Sequence, residues 1–176
     1  MGVDIFLDLA IAFGQLLIGL ALAMVSVYLG LKMFDKLTDR TDELAELKKG
    51  NVAVAILLGA IIFSIANIVE SGVSGLTHGV VPGLSTTEMF AALVIGLVNL
   101  AIGVVLAVFS IYIAIWLLDK ITVGIDEFKE LRKGNVAVAI MMAAVLFAVS
   151  FVIRGAVAGM ATALSPQSVA AALGWA

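Results

Sequence analysis

The eight residues KGNVAVAI occur twice, at 49–56 and at 133–140, and no other feature constrains the fold as strongly. At one fixed offset of 84 residues (133 − 49) the pairing runs far beyond the octapeptide without a gap. Ser26 pairs with Ser110, Tyr28 with Tyr112, Asp35 and Lys36 with Asp119 and Lys120, Asp42 and Glu43 with Asp126 and Glu127, Phe63 with Phe147, and Pro82 with Pro166. A repeat of this length decides architecture before local propensity does, because each copy is expected to fold as the same unit. The chain therefore divides into a first repeat, 1–84, a second repeat, 85–168, and a tail, 169–176.

What solvent the repeats fold in follows from composition. Of 176 residues, 63% are hydrophobic and 13% charged, and the mean hydropathy is +1.22, whereas soluble domains run at about 45–50% apolar and about 25% charged. The surplus apolar surface calls for lipid. Four apolar runs, 9–31, 52–73, 89–118 and 136–160, each reach the ~20 residues that carry a helix across a ~30 Å hydrocarbon core. They are too long and continuous for barrel strands, and lipid offers backbone groups no partner outside a helix or a closed barrel. The first run lacks the basic flank of a cleavable signal and follows Asp4 and Asp8, so it is expected to remain as a span. Phe6 stands where a myristoylation site needs Ser or Thr. The expected fold is all-α: a polytopic membrane protein of four transmembrane helices, arranged as two parallel two-helix repeats about a pseudo-twofold along the membrane normal.

Orientation is read from Lys and Arg alone. Lys32, Lys36, Arg40, Lys48 and Lys49 cluster between the first two spans, and Lys120, Lys129, Arg132 and Lys133 between the last two. Both connectors are expected on the cytoplasmic side of a prokaryotic inner membrane, with both termini and the loop around His78 outside. Each connector reads as an amphipathic helix at the inner interface, or as an extension of the preceding span that bends back at its glycine. Leu37, Leu44 and Leu47 share a face in the first copy, and Ile121, Ile125, Phe128 and Leu131 in the second. The bend belongs to Lys49, Gly50 and Asn51 and to Lys133, Gly134 and Asn135, with glycine ending one helix and asparagine capping the next.

Within the spans, three patterns stand out. Gln15, Gly19 and Ala23 continue to Ser26 and Gly30 on one stripe of the first span, and Asn99, Gly103 and Ala107 to Ser110 and Ala114 on the third. In lipid, helices associate by close approach at small residues and by hydrogen bonds between polar ones, so this stripe is expected to be a packing face rather than an ion track. The second span carries Ala55 and Gly59 as a small pair and a seam of Ala60, Ser64, Asn67, Ser71 and Ser74, which the fourth would repeat as Ala144, Ala148, Phe151, Gly155 and Ala158. Finally, Glu70 lies about 27 Å along its helix from Val52 at ~1.5 Å per residue, and the offset places Arg154 at the same depth in the other copy. An ionisable group inside a span needs a named partner, and the expected one is an ion pair between Glu70 and Arg154, assisted by Asn67.

Other chemistry is sparse. There is no cysteine and a single histidine, so no thiolate or multi-histidine metal site is expected. No phosphate-cradling loop or nucleophile–base set can be assembled either, so neither a cofactor nor an enzymatic activity is expected. Acids match the connector bases closely, which argues against nucleic acid as a partner.

The repeated pattern of an Asp-Lys pair, a Thr, acids, and then KGNVAVAI before an apolar span resembles the YjfL-like inner-membrane proteins, a prokaryotic family of unknown function built from two-helix units. The resemblance implies tandem membrane hairpins and, through neighbouring phage-shock-like and flotillin-like proteins, an envelope-maintenance setting with a possible cytoplasmic partner. It implies no catalytic residues. The function expected is structural: a self-assembling scaffold in the bilayer, most simply a homo-oligomer. The alternative is a small ion channel or transporter with a polar interface around Glu70 and Arg154.

Overall fold

The computed structural model describes residues 2–37, 43–79 and 86–163. Among them run α1 (Gly2–Leu37), α2 (Glu43–Lys48), α3 (Val52–Gly79), α4 (Thr86–Ile121), α5 (Glu127–Arg132) and α6 (Val136–Ala163), with no strand. Four of these helices contain segments long and apolar enough to cross a membrane: Ala12–Lys32, Val52–Ser74, Phe90–Ile121 and Val136–Ala163. At 36 residues each, α1 and α4 reach about 54 Å at ~1.5 Å per residue, well beyond a ~30 Å hydrocarbon core.

Helix α3 lies at the centre, packed most extensively on α6, then on α4, then on α1. Helix α4 also packs on α6, and less on α1. Ile61, Ile65 and Ile68 of α3, Ile111 of α4 and Met142 of α6 are fully buried between them. Small residues set the spacing. A Cβ on Gly30 would stand 2.9 Å from Ile65 Cγ2, and one on Gly72 would stand 3.2 Å from both Asn99 O and Leu100 Cα, so α1 and α4 approach α3 by way of glycine. Large apolar side chains face outward instead, among them Phe13, Leu16, Met24, Phe109, Trp116 and Val152. An exterior of this kind is stable against acyl chains and not against water.

Several details depart from the sequence reading. Helix α3 continues to Gly79, so Leu76, Thr77 and His78 have helical backbone instead of lying in a loop. In the second connector Gly124 adopts φ +91° and ends α4 before α5 begins. Ile121 and Ile125 are consequently exposed while Phe128 and Leu131 are buried, and the four do not share one helical face. Ala55 and Gly59 are exposed, as are Ala144, Ala148, Phe151, Gly155 and Ala158. The seam of the first repeat is thus buried only in the first repeat. A strict twofold would bury the same face of α3 and α6, and would pair α1 with α6 as closely as α3 pairs with α4. Neither holds. The side chains of Gln15 and His78, and the residues Asp42, Pro82 and Pro166 of the repeat pairing, lie outside the described residues.

Candidate functional site

At the end of α3 and α6 far from the duplicated octapeptide, polar side chains join the two repeats. Arg154 Nη2 donates to Glu70 Oε2 at 2.6 Å, and Arg154 Nη1 donates to Asn67 Oδ1 at 3.1 Å. Asn67 Nδ2 donates to Ser150 Oγ at 3.3 Å, and Ser150 in turn donates to the Phe147 carbonyl at 2.9 Å. Phe147 meets Phe63 edge to face, with ring centroids 4.9 Å apart. The ladder therefore runs from an aromatic pair of equivalent positions to a charged pair of equivalent positions. Because position 70 meets its own counterpart, identical copies would set like charges together; Glu in one and Arg in the other turns that repulsion into attraction.

Asn67 Oδ1 accepts from Arg154, so it orients the guanidinium that binds Glu70. Ser150 was not legible from its own helix, since the aligned residue in the first copy is Ala66. The Arg154 and Glu70 side chains keep 42% and 57% of their surface exposed. Such a pair orders the helix ends more than it stabilises them.

At the opposite end, the two elbows share one backbone turn and one capping pattern. Gly50 and Gly134 adopt φ +78° and +80°, a conformation that costs glycine little and other residues more. The Asn51 and Asn135 N–H groups donate to Glu46 O and Glu130 O at 3.1 and 3.0 Å, and Gly50 and Gly134 N–H to Leu47 O and Leu131 O at 2.9 Å. This paired closure satisfies the last carbonyls of α2 and α5. The asparagine side chains then cap the next helices, Asn51 Oδ1 accepting from Ala53 and Val54 N–H and Asn135 Oδ1 from Val138 N–H. Their amides also donate to Glu46 and Glu130, which bind Lys49 and Lys133 at 2.7 and 2.6 Å. The Lys49 and Asn51 bonds hold the Glu46 carboxyl below its ordinary range, and the Asn135 and Lys133 bonds do the same for Glu130.

Two bonds lack a counterpart among the described residues, the one from Ala53 N–H to Asn51 Oδ1 and one that crosses between the repeats. Asn51 Nδ2 donates its second proton to the Leu131 carbonyl, 2.9 Å away across the repeat boundary; Asn135 Nδ2 bonds only Glu130 among the described residues.

Glu127, first residue of α5, is 4% exposed. Burial pushes its carboxyl above the ordinary range, and the neighbouring Asp119 and Asp126 add to the rise. Thr122 Oγ1 contacts both Leu118 O, at 2.8 Å, and the Glu127 carboxyl. A hydroxyl has one proton to give. Thr122 can therefore donate to only one of these two acceptors at a time. The clue in the sequence is the recurrence of Asp35, Thr38 and Glu43 as Asp119, Thr122 and Glu127.

The stripe residues divide by copy. Asn99, Gly103 and Ala107 of α4 are all buried, and Gly103 faces Gly72 of α3. On α1, Gly19 and Ala23 are half-buried and only Ser26 and Gly30 are fully covered. Among the described residues no cluster of His, Cys, Asp or Glu could hold a metal ion.

Compared with known families, the chain matches the model described as Domain of Unknown Function (DUF350) twice, over residues 7–109 and 92–176. The two matches start 85 residues apart (92 − 7), close to the internal offset. No curated protein and no solved structure matches the chain.

Proposed function

The chain belongs to the DUF350 family, a domain of unknown function present here in two tandem copies, and on that premise we propose that it is a structural membrane protein that self-assembles and organises the bilayer around it. The observation that carries this reading is the use of the polar side chains. Asn67, Glu70, Ser150 and Arg154 join helix to helix at one end, and Asn51 joins elbow to elbow at the other. They are engaged in holding two repeats together rather than set along a track.

The elbows supply the contact with the surroundings. Lys48, Lys49, Lys129 and Lys133 are exposed on one end of the molecule, where basic side chains attract anionic headgroups at about 1 kcal/mol each. The same surface suits a partner protein of the membrane-maintenance kind that the YjfL-like resemblance implies, on the cytoplasmic side of a prokaryotic inner membrane. No enzymatic step is part of the reading.

Reconstitution of the full chain into liposomes tests it against transport. Proton and potassium flux at the protein-free level is the expected result. A leak that vanishes on Glu70→Gln would replace the scaffold reading with a conducting one.

A further inference from the structure

The two elbows share a turn, but the second differs from the first in the residues around it. At the constant offset, Lys129 stands where the first copy has Ala45, Gly124 where it has Arg40, and Ile125 where it has Thr41. A cavity of about 350 Å³ lies at these positions, within the range of about 300–1,000 Å³ usual for small-molecule sites. Its polar wall is Asp126, Lys129, Glu130, Lys133 and Asn135, and its apolar wall is Ile125 and Val138. Two cations and two anions leave the site without net charge.

These polar groups are not used equally. Lys133 is bound to Glu130 at 2.6 Å, and Glu130 Oε2 accepts from Asn135 Nδ2 at 3.0 Å. Lys129 forms no ion pair among the described residues. Asp126 Oδ1 accepts from the Lys129 N–H at 3.0 Å, and its Oδ2 takes no hydrogen bond among the described residues. Asn51 donates both amide protons, one to Glu46 and one to Leu131 O, whereas Asn135 donates only the one to Glu130. The second elbow thus brings to one cavity a cation and an amide donor that the first elbow lacks or spends within the protein. A cation alone draws any anion; a cation and a carboxylate on one cavity suit a ligand that carries both charges itself.

We propose that this cavity binds the headgroup of phosphatidylethanolamine, its phosphate oxygens accepting from Lys129 Nζ and Asn135 Nδ2 and its ammonium donating to Asp126. The site deepens the bilayer-organising role proposed above and rests on the membrane embedding in that reading. A primary amine is specified because a carboxylate accepts N–H protons, and a choline headgroup has none to give. Lipid, rather than a free phosphoester, is specified by the apolar surface that adjoins the cavity. Ile121, Val123 and Ile125 are 65%, 89% and 46% exposed at the end of a helix apolar enough to cross a membrane, where acyl chains cover such side chains better than water does.

The test offers the purified full chain, in detergent, equal amounts of phosphatidylethanolamine, phosphatidylcholine and phosphatidylglycerol, and counts retained lipid by native mass spectrometry. One phosphatidylethanolamine per chain, in preference to the other two, is the expected result. Lys129→Gln should cut that retention roughly tenfold, the effect of losing one hydrogen bond between charged groups. Asn135→Asp keeps an oxygen to cap Val138 but has no N–H to give, and should cut it as well. Lys48→Gln, at an exposed lysine of the first elbow, should leave it unchanged. Excess glycerophosphoethanolamine or inorganic phosphate should not displace the lipid.

Retention indifferent to Lys129→Gln, phosphatidylglycerol held as well as phosphatidylethanolamine, or no lipid held at all would overturn the site and leave the scaffold reading in place. Displacement by the free phosphoesters would overturn lipid as the occupant. A proton leak that depends on Glu70, with the lipid preference intact, would overturn the scaffold reading and leave the site standing.

Discussion

Glu127 and Glu130 lie on the same turn of α5, and their carboxyls move in opposite directions for different reasons. Glu127 is raised because it is buried, so the folded protein holds its proton more tightly than the unfolded chain. Its contribution to stability is present at acid pH and is lost as pH rises from the ordinary 4.5 through the folded value. Glu130 is lowered by Asn135 and Lys133, so its contribution is present above 4.5 and is lost as pH falls below it. Glu127→Gln should therefore raise the melting temperature near neutral pH and flatten its decline from mildly acid pH upward. Glu130→Gln should remove the loss on the acid side. Thermal unfolding in detergent across pH 3–8 separates the two, and parallel profiles for both variants would refute the assignment. The difference between neighbours was not legible: both read as acids near a helix start, and only the fold puts one against Thr122 and the other beside Lys133.

At the scale of the helix, glycine has two unrelated uses. Gly72 lies where a Cβ would press on the backbone of α4, and Gly14 has nothing within 4 Å of its notional Cβ. Gly72→Ala should destabilise by about 1–3 kcal/mol, the usual cost of forcing packed elements apart. Gly14→Ala should be neutral or stabilising by up to about 1 kcal/mol, since alanine loses less backbone entropy in a helix. Melting temperatures of the two variants in lipid nanodiscs give the comparison; equal losses would mean that α3 and α4 do not approach as closely as described. The elbows use glycine differently, for positive φ, and this use was legible because it is local. A Lys-Gly-Asn sequence between an acidic-to-basic helix and an apolar run leaves few other conformations that satisfy the helix-end carbonyls.

For the molecule as a whole, both elbows stand at one end, tied by the bond from Asn51 to Leu131 O, and the Glu70–Arg154 pair stands at the other. Single cysteines at Lys48 and Lys133 should be labelled by an impermeant thiol reagent from the same side, which the proposed orientation expects to be the inner one. Labelling from outside intact cells would reverse the orientation, and labelling from opposite sides would break the parallel arrangement. By itself the sequence determined the four spans, the duplicated hairpin and the partnership of Glu70 with Arg154. Each follows from something the chain carries locally: apolar run length against bilayer thickness, a constant offset, and the cost of a lone charge in lipid. Only the tertiary structure decided which faces of α3 and α6 are buried, where α4 stops, and that Ser150 joins the ladder. In lipid a helix face turned to a neighbour and one turned to acyl chains are both apolar, so periodicity that would mark the core of a soluble protein leaves that choice to packing.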